Sequence, residues 1–241
     1  MRNVAAELGP IVSWSGDTFR LIPSRFPPVS VYEGLVANDR IEALTKVEDL
    51  TNPRLKSEAR IAVSAGEDPK SSVRLQNWNL APFAYGNPEG STFFDENRPC
   101  LEVATERQTA LAVSVARRQR FLERTSEAPT GLDMRMFKTP VEGRFWDLRD
   151  HNADDLSGRA REIGGKIPEG VDGILFRPIE RPSATAISIV TGLALGRTLQ
   201  TVHYRYTWNG EQISLLYAFD EVGTKIEPTD LRGKDDCLVA V

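Results

Sequence analysis

The stretch 172-DGILFRPIERPSATAISIV-190 holds two apolar runs, Gly173–Phe176 and Ala186–Val190, on either side of a polar loop punctuated by prolines. Short apolar runs bounded by turn-forming residues read as buried strands, so the unit is strand, loop, strand. Such units often carry a working side chain where the first strand ends, because a rigid sheet holds its loops in place. Here the residues leaving that strand are Arg177 and Pro178, a cation and a residue that offers no reactive group. The loop is a working site, a site that has lost its chemistry, or a turn.

Outward from this unit the chain alternates strand-like and helix-like text. Thr18–Ile22 reads as a short strand, followed by an irregular crossing at Pro23, Pro27 and Pro28 and a further run at Val29–Leu35. "NDRIEALTKVEDLTNPRL" predicts a helix with Ile41, Leu44, Val47 and Leu50 on one side, capping-box spacing at Asp39 and Glu42, and a stop at Pro53. Residues 54 to 80 carry no firm pattern, and "YGNPEGSTFFDENRP" is a loop by composition. Cys100–Ala104 reads as a strand, and Thr105 with Gln108 forms a capping box opening a helix to about Glu123. Ala110, Leu111, Val113, Ser114 and Phe121 fall towards the inner side of that helix. The cluster Arg117, Arg118, Arg120 and Arg124 could suggest phosphate binding, but reads rather as a solvated face that complements its C-terminus.

"LDMRMFK" and "RFWDLRD" read as two strands, and "NADDLSGRAREIGG" as a helix closed by Gly164-Gly165. "LQTVHYRYTWNGEQISLLYAF" reads as a hairpin with a type I′ turn at Asn209-Gly210. Residues 220 to 241 form a polar, loosely held tail. No repeat or linker divides residues 1 to 241, so the expectation is a single α+β domain with an antiparallel-rich sheet and flanking helices.

Composition narrows the function. A net charge of -4 and a pI near 5.4 argue against a protein built to hold nucleic acid directly. The apolar stretches are shorter than a membrane span, and Cys100 and Cys237 make no disulfide framework, which suits a cytoplasmic protein. No Walker A sequence, dinucleotide-binding glycine motif or nucleophile elbow is present. His151 and His203 are the only imidazoles, neither in a metal-spaced pair, so no metal site is expected. Glu106 at a helix start is explained by the helix dipole alone.

Seven segments, taken in order, carry a resemblance: "FRLIPSRFPPVSVYEGL", "EALTKVEDLTNPRL", "NPEGSTFF", "TALAVSVARRQRFLERT", "WDLRD", "VDGILFRPIERP" and "YTWNGEQI". Over residues 14 to 215 they resemble the RES-domain family, toxins of bacterial toxin–antitoxin pairs whose antitoxins are Xre-like. The resemblance implies a fold related to ADP-ribosyltransferases. It also implies cleavage of NAD+ at the nicotinamide–ribose bond, by phosphorolysis or hydrolysis. NAD+ or a related nucleotide is then substrate or ligand, no other cofactor is required, and an Xre-like antitoxin is the implied partner. Oligomeric state is left open.

The resemblance also places a site, position by position. The family's early arginine corresponds to Arg20 or Arg25, with Arg20 preferred, and its second arginine falls on Thr92. Its tyrosine falls on Glu102, its helix glutamate on Val113 and its serine on Pro178. Cleaving the bond develops positive charge on the ribose, which valine cannot stabilise. Glu102 or Glu106 could supply a relocated carboxylate, and Arg177 or Arg181 a relocated phosphate clamp; otherwise these arginines and Glu180 are a solvated hairpin tip. Three functions therefore stand open: an NAD+-degrading toxin with an unusual site, a catalytically inactive nucleotide- or partner-binding module, and an ADP-ribosyltransferase with a rearranged site.

Overall fold

The computed structural model describes residues 8–23, 82–83, 87–220, 222–235 and 237–238. Arg25, the run at 29–35, the expected helix at 38–55 and residues 54–80 lie outside the described residues. The elements in chain order are β1 (Ile11–Pro23), β2 (Leu101–Ala104), α1 (Arg107–Leu122), β3 (Thr130–Asp147), α2 (Ala153–Gly164), β4 (Gly173–Phe176), β5 (Ala186–Ile189), β6 (Leu199–Trp208), β7 (Ile213–Ala218) and β8 (Lys225–Ile226).

The strands form one α+β sheet in the order β1-β2-β5-β4-β3-β6-β7-β8. The β3–β4 pairing is parallel and the others among the described residues are antiparallel. Strand β1 also pairs with β3, so β1-β2-β5-β4-β3 closes into a ring and β6-β7-β8 extends from it. Closure leaves fewer unpaired edges for another chain to pair with.

The strand–loop–strand unit at 173–189 forms as expected, with all four residues of each strand buried. Gly173 is required there, because a Cβ would collide with the Ser188 carbonyl across the pair. Strand β1 is longer than Thr18–Ile22 because β3 pairs with it from Ile11↔Trp146 to Pro23↔Met134. "LDMRMFK" and the first four residues of "RFWDLRD" belong to one 18-residue strand, which ends at Asp147. A single strand suffices because its first half pairs with β6 and its last three residues with β4.

Side-chain alternation divides the interior. Leu101, Val103, Leu175, Ile187 and Ile189 face a core with Phe145 and Val141. On the other face, Ile174, Phe176 and Ala186 pack with Leu156, Ala160 and Ile163 of α2 and with Phe93 and Phe94. Helix α1 lays Leu111, Ala112 and Val115 on Tyr204, Tyr206 and Leu216. There the Tyr206 hydroxyl donates to Ser114 Oγ at 3.2 Å.

Three local expectations change. The box at Thr105 and Gln108 does not form. Thr105 Oγ1 donates to the Thr185 carbonyl at 3.1 Å, and Glu106 is the N-cap without a side-chain bond. Gln108 Nε2 instead donates to the carbonyls of Asp230 and Leu231, both at 3.2 Å, and its Oε1 accepts from the Cys237 amide at 2.9 Å. The C-terminal segment is thus pinned rather than loose, and Leu231 and Leu238 are buried.

The hairpin turn is not type I′, since that turn needs positive φ at both central residues and only Gly210 has it, at 101°. The loop instead runs from Asn209 to Gln212, with Asn209 Oδ1 accepting from the amides of Glu211 and Gln212 at 2.9 and 2.8 Å. Helix α2 does end at the expected glycines and starts on Asn152, whose side chain accepts from the Asp154 amide at 2.8 Å. Among the described residues no helix is long and apolar enough to cross a membrane.

Candidate nucleotide cavity

The apolar alternation of β2 decides where its one charged residue goes. Leu101 and Val103 are committed to the inner core, so Glu102 must emerge on the opposite face, beneath α1 and beside the loop 87–94. A cavity of about 770 Å³ opens there, within the usual size range of ligand sites. Its walls include Arg20, Thr92, Glu102, Val113, Arg177 and Pro178. The five described positions that the resemblance marks therefore line one space, although the chain separates the first and last by most of its length.

Glu102 is the best-anchored group in that wall. Its Oε1 accepts from the Thr92 amide at 2.9 Å and from Ser188 Oγ at 3.1 Å. Its Oε2 pairs with Arg117 of α1. The register explains the serine, because Glu102 pairs directly with Ser188 of β5, and Ser188 with Ile174 of β4. The Glu102 side chain is 8% exposed and that of Arg117 is 41%. Burial opposes ionisation of Glu102, but Arg117 and the Thr92 donors outweigh it and hold the carboxyl below its usual range. The same pairing raises Arg117.

The cations differ in how they are balanced. Arg120 pairs with Glu180 at 3.4 Å, and Arg124 pairs with Glu89. Arg177 donates to two carbonyls, Arg149 O at 2.6 Å and Pro182 O at 3.2 Å. Arg161 of α2 donates to the Glu89 carbonyl at 3.2 Å. Burial lowers Arg118, and it brings Arg20 down to about 10, still charged at neutral pH. Val113 and Pro178 contribute only apolar surface. Phe121 and Ile179, 48% and 50% exposed, sit at the rim.

Glu106 and Arg181 are not part of this wall. They pair with each other, and Arg181, buried, also bonds Thr109 Oγ1 at 3.0 Å and the carbonyls of Gly233 and Lys234 at 2.9 and 3.0 Å. Arg181 is therefore a clamp on the C-terminal segment and not a solvated tip. His203 is largely buried in β6, and the His151 ring bonds the Leu8 carbonyl. Among the described residues no three His, Cys, Asp or Glu side chains converge as metal ligands would.

The linear reading does not single out Arg161 of the cavity or Ser188 behind its wall, and it gives Arg117, Arg118 and Arg120 to a solvated face. For Arg117 a signal existed. Ala110, Val113, Ser114, Arg117 and Phe121 fall on one stripe at helical spacing, so Arg117 continues the face that carries Val113 rather than the solvated one. Ser188 carries no such signal, since a serine within an apolar strand shows its partner only through register.

A curled α+β sheet with a polar, arginine-rich cavity under two helices defines a class of fold rather than a reaction. The comparisons supply the family: a model of the RES domain matches residues 72–209, more than half of the chain. The chain belongs to the RES-domain family. It is 60% identical over 227 residues to an uncharacterized protein, y4oC, of Sinorhizobium fredii (strain NBRC 101917 / NGR234), covering 94% of this chain and 98% of that protein.

Proposed function

We propose that this RES-domain protein holds NAD+ or a related nucleotide in the cavity and cleaves the nicotinamide–ribose bond weakly or not at all. One observation carries the reading: arginines and hydroxyls line the cavity, while Val113 and Pro178 stand where the family resemblance puts a carboxylate and a hydroxyl. In the cleavage, nicotinamide leaves with the bonding electrons and water or phosphate takes its place on the ribose carbon. The developing cation needs a negative charge beside it. Binding can outlast that loss, because guanidinium groups attract a pyrophosphate in ground and transition state alike, and uniform binding does not raise turnover. A place in a toxin–antitoxin pair, with an Xre-like partner, belongs to the same proposal and rests on the family.

Relocation of the carboxylate to Glu102 is a second reading, favoured by its position in the cavity wall. Its charge is already matched by Arg117 and its oxygens by three donors, an arrangement suited to holding the wall together. The deciding experiment incubates the pure protein with NAD+ and follows nicotinamide release, with and without phosphate. Slow or absent release with measurable NAD+ binding is the expected result. Rapid release that Glu102→Gln abolishes would establish the second reading instead.

A further inference from the structure

The electrostatics of the cavity say more about the ligand than its overall class does. Among the described residues six arginines and three glutamates line it, three positive charges in excess, in a chain whose net charge is -4. Pairing shows where the excess sits. Arg117 and Arg120 each have a carboxylate partner, whereas among the described residues Arg161 and Arg177 hydrogen-bond backbone carbonyls and make no ion pair, Asp147 acting on Arg177 only at longer range. Arg118 makes no ion pair among the described residues, and burial strips some of its solvation. Guanidinium groups without a carboxylate partner around one concave surface, Arg161 exposed and Arg118 and Arg177 half-buried, attract anions and offer paired donors to phosphate oxygens.

A second hollow of about 520 Å³ adjoins the first and shares Thr92, Arg117, Arg120 and Arg161 with it. Its wall is polar throughout: Asn87, Ser91 and four arginines, opposed by Glu89 and Glu123. Gly90 holds the loop open there at φ 69°, and a Cβ would run into the Arg161 guanidinium at 2.5 Å. Among the described residues, apolar surface for a base or a nicotinamide ring lies in the first hollow, at Phe19, Phe121 and Ile179.

We infer that the annex around Arg161 receives a phosphate monoester, so that the cavity selects a dinucleotide with a third phosphate, of the NADP+ class, over NAD+. This rests on the nucleotide-binding reading above and sharpens it. A pyrophosphate brings two negative charges. A monoester adds about 1.5 to 2 more and three acceptor oxygens suited to bidentate arginine contact. A third phosphate suits the arginines of the second hollow, while Arg118 and Arg177 of the first, which make no ion pair among the described residues, remain for the pyrophosphate.

The experiment is calorimetric titration of the full chain with NAD+ and with NADP+ at one ionic strength, repeated with added inorganic phosphate. NADP+ is expected to bind at least tenfold more tightly. Arg161→Gln should narrow that ratio at least threefold, whereas Arg159→Gln, the same charge change on α2 outside both hollows, should not. Equal affinities, or tighter NAD+, overturn the inference and leave the nucleotide reading standing. If inorganic phosphate lifts NAD+ affinity to that of NADP+, the annex takes free phosphate and the inference is wrong. If neither dinucleotide binds, the nucleotide reading itself falls, and this inference with it.

Discussion

Replacing Glu102 by glutamine removes one charge from the cavity wall with almost no change of shape. The amide keeps an oxygen for the Thr92 N–H and the Ser188 hydroxyl, which both use Oε1. What goes is the bond from Oε2 to Arg117, and an NH2 group now faces that guanidinium. A hydrogen bond to a charged group contributes about 1.5–3 kcal/mol, and partial solvation of Arg117 places this one low in the range, at about 2 kcal/mol. For a chain of this length that lowers Tm by roughly 4–8 °C. Glu102→Ala also leaves the Thr92 amide and the Ser188 hydroxyl without an acceptor, raising the loss to about 4 kcal/mol.

Urea unfolding of wild type, Glu102→Gln and Glu102→Ala at neutral pH measures the series. The dependence on pH adds a check with a defined sign. Glu102 titrates below its ordinary 4.5 in the fold, so the pair's contribution is complete above about pH 4.5 and is lost as pH falls through the lower folded value. The gap between wild type and Glu102→Gln should close in that acid range. A glutamine variant within about 0.5 kcal/mol of wild type at pH 7 would refute the view of Glu102 as the anchor of the wall.

Arg181→Ala removes the clamp on the C-terminal segment and leaves Glu106 without its partner. A loss of about 3 kcal/mol and faster amide exchange over 230–238 are expected, measured by urea unfolding and hydrogen exchange. Burial and the nearby Glu102 push the Cys100 thiol up to about 12, so iodoacetamide at pH 8 should label the exposed Cys237 and spare Cys100, as peptide mass spectrometry will show. The double variant Val113→Glu with Pro178→Ser returns a carboxylate and a hydroxyl to the cavity, and nicotinamide release should rise at least tenfold over wild type. Unchanged release with NAD+ binding retained would count against the site assignment.

Much of the framework was readable in the linear chain because it follows from periodicity. The buried pair at Gly173–Phe176 and Ala186–Ile189 and the helix ending at Gly164 declare themselves locally. The start of β1 did not, since the short alternation in "IVSWSGD" is broken by Gly16-Asp17 and is extended into one long strand by pairing with β3. Gln108 was misread for a related reason: its local spacing suits a cap, but its amide is used by residues more than a hundred positions away. Positions 20, 92, 102, 113 and 178 could be marked by resemblance. Of the partners that give Glu102 its character, Arg117 shows itself only by its place on the helix face that carries Val113, and Ser188 only through strand register, which no local pattern encodes.

That distribution bears on how such a site can lose its chemistry and keep its form. The wall is held by Glu102, which ties the loop at Thr92, strand β5 at Ser188 and helix α1 at Arg117 into one unit. Val113 and Pro178 take part in none of these bonds. They can be apolar without disturbing the alternation that fixes Glu102 or the cations around it. The positions where the resemblance puts an arginine and a tyrosine, Thr92 and Glu102, serve the wall, whereas those of its carboxylate and hydroxyl, Val113 and Pro178, stand outside these bonds. A fold arranged in this way can change at 113 and 178 while the arginines that line the cavity stay in place.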